Sequence, residues 1–315
     1  MNLFNNKTIA RHTSHVLPPT EDHLKVLTDW AEMITSNKIK TNKETALSAD
    51  FKTKIVQAVL GYTSAVGNKK YTVESEQTIL KGSVDLALGH FSHGKADIVA
   101  PFELKGAKTK DLDAIMSGRN KTPVQQAWEY ATNNIGTKWV LVSNYLEIRL
   151  YGFGEGTQAY EHFDMARLHE PQEYARFMLL LSAENLLGSK TADMLKESRR
   201  EDRDITDALY ADYKALRSTL IGGIRDTTPT IDPLECIATA QTVLDRVLFI
   251  AFAEDTGLLP KNILEQAFES EDKFNPRPVW DNFKGLFTAI DKGSNGLGVP
   301  KYNGGLFAPD AAIDT

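Results

Sequence analysis

Apolar residues recur along this chain with two different periods. In residues 21–34, Leu24, Leu27, Trp30, Ala31 and Ile34 return every three or four positions, which predicts an amphipathic helix with one buried face. Phe51, Ile55, Val56, Val59 and Leu60 predict a second helix over residues 44–60, closed by Gly61, where a left-handed cap costs glycine least. Residues 1–19 show no period and read as a loose arm.

From residue 73 to 151 the period shortens to two. Residues 73–80 predict a first strand; residues 83–91 and 96–105 predict a hairpin around Ser92-His93-Gly94-Lys95. Alternation puts Ile98, Ala100, Phe102 and Leu104 on one face of the hairpin and Glu103 and Lys105 on the other. Val84, Leu86 and Leu88 separate from Asp85 in the same way. Pro101 cannot donate to a sheet ladder, so it predicts an edge or a bulge two residues before Glu103.

A helix over residues 123–133 follows, with Thr122 as N-cap, Pro123 at the first helical position and Gln125 closing a capping box. Trp139-Val-Leu-Val142 reads as a buried strand. Because a helix precedes it, a right-handed parallel crossover is the expected connection. Residues 145–151 pair with it across Asn144, which gives a mixed central sheet flanked by helices.

Composition shifts over residues 160–171, placing a division at 165/166, and the remainder reads as all-α. Helices are expected over residues 173–187 and 205–221, with a charged, exposed segment at 196–204 between them. Asp232-Pro233-Leu234-Glu235 repeats the cap logic and opens a helix running to residue 253. Its 247–252 stretch is apolar nearly all round, as in the central buried helix of a bundle. Two shorter helices are expected at 261–269 and 278–291.

Charge narrows the chemistry. A net charge of −6 and a pI near 5.7 exclude a globally basic nucleic-acid coat, so any DNA contact must be local. Cys236 is the only cysteine, which excludes an intrachain disulfide and a cysteine zinc site and makes the reducing cytoplasm the expected setting. The N-terminus has no signal-peptide core and no apolar run approaches a membrane span, so no membrane partner is expected. Over residues 105–121, five basic residues (Lys105, Lys108, Lys110, Arg119, Lys121) outnumber two acids (Asp111, Asp113). Such a loop can meet DNA phosphates whatever their sequence.

Asp85, Glu103 and Lys105 make a chemical set. Two carboxylates can hold a hard divalent cation, and the ammonium can sit beside a polarised water or a phosphate. Mg²⁺ is the natural occupant, with Mn²⁺ as a substitute. On the helix that follows, Gln126 and Tyr130 lie four apart and share a face. Glu-x-Lys alone is common by chance, and the solvated face of an ordinary hairpin would account for it.

Together these positions carry a resemblance. Asp85, then Glu103-Leu104-Lys105, then Gln126-Ala-Trp-Glu-Tyr130 resemble the PD-(D/E)XK nuclease core with the Gln-xxx-Tyr helix of its RecB-like branch. FELKGAKTKDLD, QQAWEYA and KWVLVSNYLEIRLYG look like the N-terminal nuclease region of Type IIG restriction-modification enzymes; LDRVLFIAFAEDTGLLP and YNGGLF look like their helical connector. The resemblance implies a restriction-endonuclease-like α/β domain over residues 1–165, a helical connector over 166–315, and Mg²⁺-dependent cleavage of double-stranded DNA. It implies that Asp85, Glu103 and the Leu104 carbonyl hold the metal, with Glu44 as a further acid. Lys105 would orient or activate water, Gln126 would fix the metal-bound water, and Tyr130 would meet a phosphate. Lys108, Lys110, Arg119 and Lys121 would contact the DNA backbone.

It also implies methyltransferase and target-recognition regions following residue 315. S-adenosylmethionine would belong there, since neither an Asn-Pro-Pro-Tyr motif nor a convincing glycine-rich cofactor loop occurs in residues 1–315; Gly152-Phe-Gly154-Glu-Gly156 has no evident helix after it. The alternative on the same architecture is a non-cleaving DNA-binding or docking module of a phage-defence methyltransferase. Asp97 rivals Asp85, but it lies six residues before Glu103, about 20 Å along a strand and too far to share an ion.

Overall fold

β2 (Gly82–Ser92) and β3 (Lys95–Leu104) form the expected hairpin at the centre of a six-stranded sheet. The computed structural model describes residues 2–79, 82–116, 118–271, 273–302 and 304–314. Leu80, the expected end of the first strand, and Asn303 of YNGGLF lie outside them. His93-Gly94 makes the turn between paired Ser92 and Lys95, and Gly94 takes φ 73°, a value that a Cβ would strain. β1 (Lys70–Ile79) joins β2 antiparallel. α4 (Pro123–Thr132) carries the chain from β3 to a parallel β4 (Trp139–Ser143), and β5 (Glu147–Gly152) and β6 (Tyr160–Asp164) complete the sheet antiparallel. The sheet is therefore mixed, in the order β1-β2-β3-β4-β5-β6. β6 is an addition to the sequence reading. Its Tyr-Glu-His-Phe-Asp run is short and lies where the composition shift suggested a boundary.

Packing divides the chain into two units, Met1–Arg203 and Asp204–Thr315. The expected division at 165/166 falls inside the first, because α5 (Pro171–Leu181) and α6 (Ala183–Leu187) bury Tyr174, Phe177, Leu180 and Leu186 in the same core as the sheet. Those helices cover a sheet face that would otherwise stand in water. The same face receives α2 (Glu21–Thr35) and α3 (Glu44–Asp50), which continues as a π-helical stretch, Phe51–Val59. Phe51 lies at its centre, with ring centroids 5.8, 5.7 and 5.4 Å from Trp30, Phe102 and Tyr145. On the opposite face α4 sets Val124, Ala127 and Ala131 against Val140, Val142 and Tyr151.

Two local expectations change. The N-terminal residues are ordered: Leu3 and Phe4 enter the main core, and α1 (Asn6–Thr13) is tied by Arg11 to Glu197 and Glu201. Those partners are distant in sequence and leave no local period. The 196–204 segment, read as exposed, supplies these acids and buries Ser198.

The second change concerns Pro101. It stands in an interior strand, one residue before the parallel register with β4 begins at Phe102↔Leu141. The irregularity lies two residues earlier than Pro101, at Val99, because Gly89 pairs with Ile98 while Leu88 pairs with Ala100. The extra residue reverses the alternation. Ile98 consequently packs with Val84, Ala87 and Phe91, while Ala100, Phe102 and Leu104 join Leu86 and Leu88 in the main core.

In the second unit α8 (Pro233–Asp255) packs with α9 (Ile263–Glu269), α10 (Val279–Lys292) and α11 (Ala311–Asp314) around Ile250, Ala253, Leu286, Phe287 and Phe307. It is buried on one side only, since Leu248 and Phe252 are exposed. By length and composition α8 could cross a membrane, contrary to the sequence expectation. Its Arg246, 1% exposed, donates instead to the carbonyls of Leu306 and Ala308 at 2.8 and 2.7 Å. The long α7 (Lys190–Thr227) contributes its early turns to the first unit and its later turns to the second.

Candidate functional site

Near the end of the β2–β3 ladder two carboxylates approach each other. Leu86↔Phe102 is the last pair of that ladder, and the next amide on this side, Leu104 N, donates to Asp85 Oδ2 at 2.7 Å. Glu103 pairs across the parallel ladder with Val142, whose side chain lies beneath α4. The open polar face expected for the hairpin is thus covered at this point, and Glu103 is only 1% exposed. Its Oε1 accepts from Lys105 Nζ. Its Oε2 has no hydrogen-bond partner among the described residues.

Burial dominates the electrostatics. It pushes the Glu103 carboxyl up to about 7, with the Asp85 charge adding to the rise and Lys105 opposing it. Asp85 is also raised by burial, against the lowering pull of the Leu104 amide and the Lys105 and Arg119 charges. Such a pair is costly without a cation between or beside it.

α4 delivers the remaining polar groups. Thr122 Oγ1 accepts from Gln125 N at 3.1 Å and Gln125 Oε1 accepts from Thr122 N at 2.9 Å, closing the expected capping box. The helix orientation so fixed brings Gln126 to Lys105 and Arg119, with Tyr130 bonded to Gln126. Gln126 Oε1 accepts from Lys105 Nζ at 3.3 Å and from Arg119 Nη1 at 2.8 Å, and its Nε2 donates to Tyr130 Oη at 3.0 Å. Glu103, Lys105, Gln126 and Tyr130 therefore form one hydrogen-bonded chain, with Asp85 beside its acidic end.

Two clefts open around this constellation. One, of about 970 Å³, is lined by Lys105, Lys108, Lys110, Arg119 and Glu44; the other, of about 710 Å³, by Glu44, Glu76, Asp85, Leu104 and Tyr145. Glu44, in the first turn of α3, borders both, its carboxylate lying where a side chain on Gly106 would meet it at 3.4 Å. Lys121 pairs with Glu129 on α4. Asp97 stands opposite His90 near the other end of β3.

Among the described residues no group of three or more His, Cys, Asp or Glu side chains closes on one point as a metal cage. The available donors are the Asp85 and Glu103 carboxylates with the Leu104 carbonyl. Such a sparse oxygen set suits Mg²⁺, which keeps several waters.

Glu76, on the expected first strand and read from the sequence as exposed or facing the cleft, takes φ 52° between Ser75 and Gln77, which pair with Leu86 and Val84, so it stands across from Asp85, lines the same cleft and raises Asp85 further. Other residues near the site were not singled out from the sequence. Asn144 Nδ2 donates to Thr109 O at 2.8 Å, and Arg149 donates to Asp113 Oδ2 at 2.7 Å. The signal for Arg149 was present: a lone cation inside the apolar run Ile148 to Tyr151. Tyr145, φ 67°, donates no period, and nothing local marks its ring as a cleft wall.

Residues 238–307 match the family model described as MmeI, helicase spacer domain, which links the chain to a Type IIG restriction enzyme and supports a place in a restriction-modification system. No curated protein and no solved structure matches the chain.

Proposed function

We propose that the sheet-bearing unit is a metal-dependent DNA endonuclease of PD-(D/E)XK type, with a restriction-endonuclease-like fold, forming the cleavage part of a Type IIG restriction-modification enzyme. The observation that carries this reading is Glu103: an acid 1% exposed, with one oxygen that has no partner among the described residues, set beside Asp85 and joined through Lys105 to the Gln126–Tyr130 helix. An interior hairpin with only a structural duty would have little reason to bury a second carboxylate.

Asp85, Glu103 and the Leu104 carbonyl would hold Mg²⁺ or Mn²⁺, and Glu44, which lines a cleft with Asp85, would add an outer acid. When bound, the ion supplies charge neutralisation at a phosphate and a more acidic water. Lys105, held between Glu103 and Gln126, orients the attacking water and faces the charge that grows on phosphorus. The Gln126 amide fixes water position and the Tyr130 hydroxyl meets a phosphate oxygen. Lys108 and Lys110, on the larger cleft, supply backbone contacts to double-stranded DNA. Specific targeting and S-adenosylmethionine chemistry would belong to covalently linked methyltransferase and target-recognition domains, and cytoplasmic DNA is the expected substrate.

Calorimetric titration with Mn²⁺, and with Mg²⁺, tests the reading. Wild type should bind; Glu103→Ala should not; Lys105→Ala should bind at least as well while losing metal-dependent nicking of supercoiled DNA. A wild-type chain that takes up neither ion would favour the non-cleaving DNA-binding module instead.

A further inference from the structure

The segment joining β3 to α4 is fastened far more firmly than a connection requires. Asn144, 1% exposed, donates to Thr109 O at 2.8 Å while its Oδ1 accepts from Leu146 N and Glu147 N, so the β4–β5 turn holds the segment. Leu112 is fully buried in the core beneath α4. Asp113 accepts from Arg149 at 2.7 Å, and Arg149 is itself fixed by Glu147 at 3.0 Å and lies 4.8 Å from the Tyr160 ring centroid. Arg149 is 7% exposed. Burying a guanidinium is costly unless its partners are well placed. That expense would be out of proportion for a plain linker.

What the fastened segment carries next is Arg119. Its turn is closed by Met116 N to Lys121 O at 3.1 Å and by Arg119 N to Met116 O at 3.0 Å, with Gly118 at φ 74°. Three residues later Thr122 caps α4, so both sides of the turn are held. The guanidinium gives one bond, 2.8 Å, to Gln126 Oε1, a neutral acceptor that Lys105 also uses. Lys105 has Glu103 as counter-ion and Lys121 has Glu129. Arg119 pairs with no acid among the described residues, although its field reaches Asp85 and Glu103. An arginine fork with donors to spare, on the wall of a cleft with Lys105 and Lys108, fits the tetrahedral oxygens of a phosphodiester.

Resting on the nuclease reading, we infer that Arg119 is a catalytic residue that grips the scissile phosphate, and that Asn144 and the Arg149–Asp113 pair are positioning residues that hold it there. In hydrolysis the water oxygen forms a bond to phosphorus and the bond from phosphorus to the leaving sugar oxygen breaks. The water gives one proton to solvent, the departing oxygen takes one, and the five-coordinate phosphorus between these events carries extra negative charge on its non-bridging oxygens. Arg119 donates to those oxygens from beside Lys105, with which it shares the Gln126 Oε1 acceptor.

The test uses Arg119→Ala, Arg119→Lys, Asp113→Asn and the pair Arg119→Ala/Asp113→Asn. Arg119 is exposed, and Asn at 113 keeps an acceptor for Arg149, whose Glu147 partner is untouched, so these variants should keep the fold, which the urea midpoint checks. Nicking of supercoiled DNA with Mn²⁺ and duplex affinity with Ca²⁺ are both measured. Arg119→Ala should lower the nicking rate by about 100-fold, as for loss of one transition-state donor, and weaken the duplex by about fivefold. Arg119→Lys should recover the duplex affinity but not the rate. Asp113→Asn should show a smaller loss in the same direction, and the double variant should be no worse than Arg119→Ala alone. Wild-type affinity and rate in Arg119→Ala, with Mn²⁺ uptake still dependent on Glu103, would overturn the inference and leave the nuclease reading standing. Strict additivity of the two substitutions would remove the positioning role, and a wild type that neither binds duplex nor nicks would sink both readings. Should wild type bind without nicking, the same comparison of single and double variants in the affinity decides.

Discussion

Replacing Glu103 with Gln should stabilise the metal-free protein at neutral and higher pH while abolishing its response to divalent cation. The carboxyl titrates at about 7 in the folded chain against an ordinary 4.5. Below about pH 4.5 both folded and unfolded chains carry it protonated, and it costs nothing. Between 4.5 and 7 the unfolded chain ionises first, so stability falls as pH rises. Above 7 the full loss persists: about 2.5 pH units at 1.36 kcal/mol each, or about 3 kcal/mol. Gln keeps the shape and cannot ionise, so the difference between variant and wild type should grow from near zero at pH 4 to about 3 kcal/mol at pH 8. Urea unfolding in the presence of a chelator, followed by tryptophan fluorescence, measures it; Trp30, Trp128 and Trp139 all lie in the sheet-bearing unit. Adding Mg²⁺ at one hundred times its dissociation constant should return about 2.7 kcal/mol to the wild type and nothing to the variant. A difference that does not vary with pH would refute the account of Glu103 as a strained, cation-seeking acid, and equal stabilisation of both proteins by Mg²⁺ would remove it from the site.

Three further outcomes follow from individual contacts. Thr122→Ala removes the side-chain half of the α4 capping box and should cost about 1 kcal/mol, with faster hydrogen exchange at residues 124–126. Gly89→Ala would place a methyl 2.1 Å from Asp97 O across the bulge, so a loss of about 3 kcal/mol or failure to fold is expected, read as the urea midpoint or soluble yield; a wild-type midpoint would show that the bulge is not rigid. Arg246→Met strips the carbonyls of Leu306 and Ala308 of their donor and should cost about 2 to 4 kcal/mol, visible as early hydrogen exchange in peptides from residues 238–307.

The parts of this fold legible in the sequence are those written in local periods. The β2–β3 hairpin, the α4 cap and the parallel crossover to β4 each depend on residues within a few positions of one another, and each is present. What was hidden depends on a distant partner. Nothing between residues 1 and 19 shows that Leu3 and Phe4 will join the sheet core, because Arg11 and its acids are far apart in the chain. The Val99 bulge is invisible to an alternation rule that assumes constant phase, and it reassigned Ile98 to the opposite face. The site shows the same division. Asp85, Glu103, Lys105, Gln126 and Tyr130 could be named from spacing, and the structure gathers them. The depth at which Glu103 is buried could not, since it follows from α4 closing over a face that the hairpin alone leaves open. Arg149 and Asn144 escaped because their partners lie 36 and 35 residues earlier in the chain.

The site owes its place to a strand end. β3 is paired on both sides only as far as Phe102; past that point its amides alternate between two different acceptors. Lys105 N, turned toward β4, still finds the Ser143 carbonyl at 2.8 Å, whereas Leu104 N, turned toward β2, finds Asp85 Oδ2. A carboxylate that accepts a ladder amide must lie near the plane of the sheet, not above or below it. Asp85 therefore occupies the gap where β2 and β3 part, while Glu103 projects to the α4 face. The two acids approach from different directions, one at the strand gap and one from the α4 face, as two residues alternating on one strand face would not. Extending the β2–β3 ladder by one pair would satisfy Leu104 N with a backbone carbonyl and release Asp85 to one face. The sheet would gain a hydrogen bond and lose the pocket, which is the trade expected where a fold gives up stability for chemistry.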